Sequence, residues 1–128
     1  MSRLRIADVL GFKMKLCEAE FVDYQLLYQP HLYDPLETGF LKSMLKPGDM
    51  FLDIGAYIGF YSLLAYAAVG DGGKVLAVEA DPYNYSILCV ILQAEGLWSE
   101  KNRKEITNHR SVLCCRCTTR KMSILLNV

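Results

Sequence analysis

The sequence predicts an α/β fold of three layers, αβα, organised on a parallel sheet. Two short apolar runs, Met50–Ile54 and Lys74–Glu79, have the length and character of buried strands, and each carries an acid at its carboxyl end, Asp53 and Glu79. Between them, residues 58–69 form an apolar stretch long enough for a helix. The connection Gly55-Ala56-Tyr57-Ile58-Gly59 is a strand-to-helix turn. A strand, a helix of about a dozen residues and a second strand return to one sheet through a right-handed crossover. The two strands are therefore parallel neighbours, and both acids reach the same carboxyl edge.

The remaining elements follow in order. Residues 4–27 have mixed patterning that could form a short hairpin or strand pair. Asp34-Pro35-Leu36-Glu37 reads as N-cap, first-turn proline and capping-box acid of a helix running to about Lys46, with Phe40 and Met44 continuing the apolar stripe begun at Leu36. Pro47-Gly48-Asp49 breaks the chain before the first strand. Asp81-Pro82 opens another helix that ends near Glu95, with Gly96 as its left-handed stop and Leu97 folding back. Residues 98–110 are polar and mixed in charge, a loop or exposed face. Residues 111–115 and 122–126 then read as two short strands, a hairpin around the polar 116–121. At 128 residues and 52% hydrophobic content the chain can bury one core. The expected division is an N-terminal extension at 1–33 and a ligand-binding domain at 34–128.

The turn carries the chemistry. Glycine lets backbone approach a ligand closely, and amides at a helix start favour a carboxylate or phosphate. An acid at the end of the second strand can accept from both hydroxyls of a ribose. A dinucleotide-binding turn reads Gly-x-Gly-x-x-Gly, with the middle glycine admitting the pyrophosphate. Here that position is Tyr57, and an acid precedes the first glycine.

Asp-x-Gly-x-x-x-Gly followed by Val-x-Ala-Val-Glu resembles motif I and the second-strand acid of class I S-adenosylmethionine-dependent methyltransferases. Tyr33-Asp34-Pro35-Leu36-Glu37-Thr38, Leu45-Lys46-Pro47-Gly48-Asp49, Asp53-Ile54-Gly55-Ala56, Ile58-Gly59-Phe60-Tyr61-Ser62-Leu63-Leu64 and Glu79-Ala80-Asp81-Pro82-Tyr83-Asn84-Tyr85 together resemble the FkbM-type methyltransferase family over residues 11–97. The resemblance implies a Rossmann-like methyltransferase fold with S-adenosylmethionine as cofactor. It implies that Asp53, Gly55 and Gly59, with Ala56 and Tyr57 between them, frame the methionine part, that Glu79 takes the ribose and that Ala80 faces the adenine. Tyr57 departs from the family, which usually carries a smaller polar residue there; the tyrosine either stacks over the cofactor or fills part of its pocket. The acceptor implied is a small molecule, the hydroxyl of a sugar or natural product. Beside this stands the bland reading, in which the turn closes a tight βα connection and Glu79 caps the next helix.

Composition narrows the alternatives. Lys and Arg together number 14, as do Asp and Glu, which argues against a general nucleic-acid or membrane-surface binder, so no nucleic-acid and no membrane partner is expected. The 58–69 run is shorter than the about twenty residues a bilayer needs. No signal segment opens the sequence, and a cytoplasmic location is expected. The five cysteines include Cys114-Cys115-Arg116-Cys117 but no Cys-x-x-Cys pair, so free thiols and no metal site are expected. His31 and His109 have no visible carboxylate partner, and no catalytic residue is assigned. The resemblance implies that the segment before motif I lies beside the cofactor, so that Glu37 or Tyr33 touches the ligand, although a capping box already accounts for Glu37.

After Leu97 no Asp-x-Glu-Gly motif follows, where the resemblance associates one with the reaction centre. The reading is therefore the cofactor-binding portion of a methyltransferase fold with C-terminal strands missing, and with self-association expected through an uncovered sheet edge. The alternatives are a degenerate, non-catalytic methyltransferase-like module, and an NAD-dependent oxidoreductase disfavoured by the absent middle glycine.

Overall fold

The computed structural model describes residues 4–94 and the backbone of 112–116. A hairpin of β1 (Leu4–Val9) and β2 (Phe12–Cys17) opens the chain, its strands antiparallel with Val9 opposite Phe12. The two-residue turn places Leu10 and Gly11 in the left-handed region, at φ 52 and 91, the signature of a type I′ turn. Helix α1 (Phe21–Tyr28), a 3₁₀ turn at Pro30–Leu32 and helix α2 (Pro35–Met44) follow. Then β3 (Met50–Ile54), α3 (Phe60–Val69), β4 (Lys74–Glu79), α4 (Pro82–Ala94) and β5 (Val112–Arg116) alternate. Strands β3, β4 and β5 form one sheet in that order, parallel throughout, with Ile54 beside Val78 and Glu79 beside Arg116. The parallel β3–β4 pairing is the one the sequence predicts.

One core joins the hairpin to the sheet. Met14, Leu16 and Leu26 belong to the same buried cluster as Leu63 of α3, Ala77 of β4 and Leu88, Ile91 and Leu92 of α4. The hairpin therefore packs on α4, and burial of its apolar residues in a common interior holds it there.

Two local expectations are corrected. Asp34 occupies the N-cap position of α2 at φ 41, but its side chain makes no capping bond. Its carboxylate instead accepts from the Tyr61 hydroxyl at 2.6 Å, so no capping box forms and Glu37 is exposed. The left-handed backbone of Asp34 turns the side chain away from the first-turn amides that a cap would reach. Strand β3 is the second case. Its composition suits burial on both faces, yet Met50, Leu52 and Ile54 are exposed along one face, where no described residue covers them.

The expected stop at Gly96, the polar stretch 98–110 with His109, Cys117 and the strand at 122–126 lie outside the described residues. Among the described residues no helix is long and apolar enough to cross a membrane, and no group of His, Cys, Asp or Glu could hold a metal ion.

Candidate functional site

The residues singled out in the sequence converge at the carboxyl ends of β3 and β4, where the turn folds back onto β4. The amides of Gly55 and Ala56 both donate to the Val78 carbonyl, at 2.8 and 2.9 Å, and the Gly59 amide donates to the Ala56 carbonyl at 2.8 Å. These three donors are already used, so the turn is knitted to its neighbouring strand.

The two glycines do different jobs. Gly55, at φ +79, has nothing within 4 Å of where a Cβ would stand, so it opens onto free space that a ligand can enter. Gly59, at φ +90, would place a Cβ 2.5 Å from Leu88 Cδ1, so its bare backbone is what lets α3 pack on α4.

Asp53 points along the start of α3. The Ser62 hydroxyl donates to its Oδ2 at 2.6 Å, and the Ser62 amide faces it as well. Burial pushes the Asp53 carboxyl above its ordinary range, the Ser62 bonds oppose that shift and the nearby Glu79 charge adds to it. Ser62 is fully buried and was not legible as a site residue.

Glu79 is 7% exposed and among the described residues has no ion pair. Its Oε2 accepts from the Tyr57 amide at 2.6 Å and its Oε1 from the Asp81 amide at 2.8 Å. It does not cap α4. Asp81 does, accepting at Oδ1 from the Tyr83 amide at 3.0 Å and the Asn84 amide at 2.8 Å. An ionised carboxylate has about four lone-pair sites, so each Glu79 oxygen keeps room for a further donor such as a ribose hydroxyl. Ala80, beside it, is exposed.

Tyr57 adopts φ 53, an uncommon conformation for a non-glycine residue, and its hydroxyl donates to Asp23 Oδ1 at 2.9 Å. Its ring therefore leans toward α1. Asp23 is 3% exposed, and its Oδ2 accepts from the Cys17 amide at 2.7 Å. Burial raises the Asp23 carboxyl, and desolvation together with that carboxyl raises the Tyr57 hydroxyl. A cavity of about 420 Å³ lies against this pair, lined by Lys15 and Cys17 of β2, Glu20 and Asp23, Tyr57, and Asp81 with Asn84 at the start of α4. Of the residues expected to bind cofactor, Tyr57 alone lines this cavity; Glu79 lies directly behind it, held by two wall residues, Tyr57 and Asp81.

Asp23 was missed because its only sequence signal is an acid set among the apolar residues of α1. Tyr33 packs against Phe60 and Tyr61, with ring centroids 5.1 and 6.4 Å apart, while His31 is exposed in the 3₁₀ turn. Cys17 is a buried free thiol and Cys89 is half-buried.

Comparison with solved structures places this architecture. A Pyrococcus horikoshii protein assigned as a transferase superposes with a TM-score of 0.60 at 23% identity, covering 91% of this chain and 37% of that one. TYW2 of P. horikoshii, solved in complex with MeSAdo, superposes with a TM-score of 0.55 at 26% identity, covering 75% of this chain and 33% of that one. The fold is methyltransferase-like. Ribosomal RNA large subunit methyltransferase E of Sorangium cellulosum is 46% identical over 39 residues, 30% of this chain and 18% of that protein. The chain thus spans about a third of the length of the solved proteins, and its matched segment less than a fifth of the curated one. No family model matches the chain, and nothing in these likenesses is specific to the FkbM-type family.

The match to a ribosomal RNA methyltransferase overturns the exclusion of nucleic acid drawn from charge balance. Net charge averages the whole surface, whereas contact with phosphate needs only a local excess of cations.

Proposed function

We propose that the carboxyl edge of β3 and β4 binds S-adenosylmethionine and that the chain is the cofactor-binding portion of a methyltransferase. The observation that carries this reading is Glu79, a buried carboxylate with no ion pair among the described residues, held by the Tyr57 and Asp81 amides and with lone pairs left for two hydroxyls. The donor set supports a nucleoside without phosphate. The turn amides of Gly55, Ala56, Tyr57 and Gly59 are engaged within the protein, and a pyrophosphate would find none of them free. The MeSAdo complex of TYW2 supports the same choice, since that ligand is an analogue of the proposed cofactor.

In this reading Glu79 takes the ribose, the open face of Gly55 admits the methionine part, and Asp53, Ala56, Tyr57, Gly59 and Ala80 complete the surround. The bound cofactor supplies an activated methyl group. The protein's task is then alignment of an acceptor, and no residue is assigned to proton transfer. The 1–33 segment is an extension packed on the 34–128 domain, and the setting proposed is cytoplasmic. Family resemblance supports a hydroxyl of a sugar or natural product as acceptor, and the ribosomal RNA methyltransferase match supports RNA.

Calorimetry with S-adenosylhomocysteine and with NAD tests the cofactor. The homocysteine nucleoside is expected to bind more tightly, and Glu79→Ala to weaken it by about 1–3 kcal/mol, the range for charge-assisted bonds. Tighter binding of NAD would falsify the assignment. A methyl-donor assay offering RNA beside hydroxylated small molecules then identifies the acceptor.

A further inference from the structure

Asp23 and Glu79 are both buried carboxylates, 3% and 7% exposed, and one residue bridges them. Tyr57 gives its hydroxyl to Asp23 at 2.9 Å and its amide to Glu79 at 2.6 Å. Asp23 in turn accepts from the Cys17 amide at 2.7 Å. Hydrogen bonds joined through the Tyr57 side chain thus connect the end of β2, by way of α1, to the acid at the end of β4. Among the described residues neither carboxylate forms an ion pair, and these bonds, with the Asp81 amide on Glu79, offset the desolvation of two buried carboxyl groups. Losing a link leaves a buried acceptor unsatisfied, which favours moving the hairpin and the turn together over moving either alone.

Resting on the cofactor reading above, we propose that Asp23 is a positioning residue for the cofactor site. It latches the N-terminal hairpin and α1 to the Gly55–Gly59 turn through Tyr57, and so fixes the amide that orients Glu79. The departure at Tyr57 then has a use. A smaller residue at this position could not span to α1, whereas the phenol reaches Asp23 and forms a wall of the cavity shared with β2 and α4. The hairpin unit is thereby coupled to the ligand, since tightening at Glu79 is transmitted to the Cys17 amide through the bonds named.

The test combines calorimetry with residue-resolved hydrogen exchange on the whole protein, using S-adenosylhomocysteine as probe. Saturation is expected to slow exchange of the Cys17 amide in the wild type by roughly tenfold, the effect of about 1.4 kcal/mol at one bond. Tyr57→Phe, which keeps the ring and removes one hydroxyl, is expected to weaken binding by roughly tenfold, as loss of one such bond to a charged group does, and to abolish the transmitted protection at Cys17. Asp23→Asn, combined with Tyr57→Phe in a double-mutant cycle, is expected to show clear non-additivity in affinity, which independent structural losses would not produce. Wild-type binding with no change at Cys17, or unaltered affinity in folded Tyr57→Phe, overturns the latch and leaves the cofactor reading standing. Absence of wild-type binding overturns both.

Discussion

The two faces of the β3–β4 pair are made from similar residues and live in opposite surroundings. On one face Val75 and Ala77 are buried, 2% and 0% exposed, in register with Phe51 and Asp53. On the other, Met50 and Ile54 are 61% and 62% exposed, in register with Lys74 and Val78. The same contrast recurs in α2, whose Leu36, Phe40 and Met44 stripe is exposed, while the Leu63, Leu64 and Ala65 run of α3 is buried. Every engaged polar group of the candidate site lies with the buried face or the turn at its end. The lesson is that an apolar side chain states a preference for burial, and only neighbouring elements decide whether it is met.

Leu88, fully buried where α4 meets Gly59, is expected to cost about 2–5 kcal/mol of stability on Leu88→Ala, read by urea denaturation. Gly59→Ala is next, about 1–3 kcal/mol, because its Cβ would meet Leu88 Cδ1 at 2.5 Å in a left-handed backbone. The double variant should lose less than the sum, since truncating Leu88 removes the clash; strict additivity would show that the close approach is not the cause.

Asp53 gives a pH signature to the buried face. Its folded carboxyl is raised, chiefly by burial, so the folded state holds the proton more tightly than the unfolded chain. Its contribution is therefore complete below the ordinary value of 3.8 and is lost as pH rises through the folded value. The stability of the wild type relative to Asp53→Asn should fall as pH rises above the ordinary value of 3.8. A rise instead would mean that the Ser62 bonds outweigh burial. The smallest effect belongs to the open face: Phe40→Ser should change stability by no more than about 0.5 kcal/mol. A loss of several kcal/mol would show that this face is covered in solution and would end the contrast.

Much of the fold was legible because it rests on local signals. The strand lengths at 50–54 and 74–79, the Asp81-Pro82 helix start and the glycine turn are set by periodicity and backbone freedom, and each lies where the sequence predicts it. Helix α1 was hidden within the mixed pattern of 4–27. The capping box was misread because Asp34 spends its carboxylate on Tyr61, a partner 27 residues away. Asp23 and Ser62 escaped for the same reason: each matters through a partner, Tyr57 or Asp53, that only the folded chain brings near. The sequence leaves Tyr57 between stacking and filling, and its bond to a helix outside the turn is a third possibility that spacing alone does not express.

The central claim is that ligand chemistry resides on the closed side of the molecule, at the turn and the end of β4. Titration of the isotope-labelled protein with S-adenosylhomocysteine, followed by amide chemical shifts, tests it most directly. The largest perturbations are expected on Gly55, Ala56, Tyr57 and Asp81, with Leu36, Phe40, Met44 and Met50 unmoved. Saturable shifts concentrated on α2 and the exposed face of β3, with the turn silent, would contradict it.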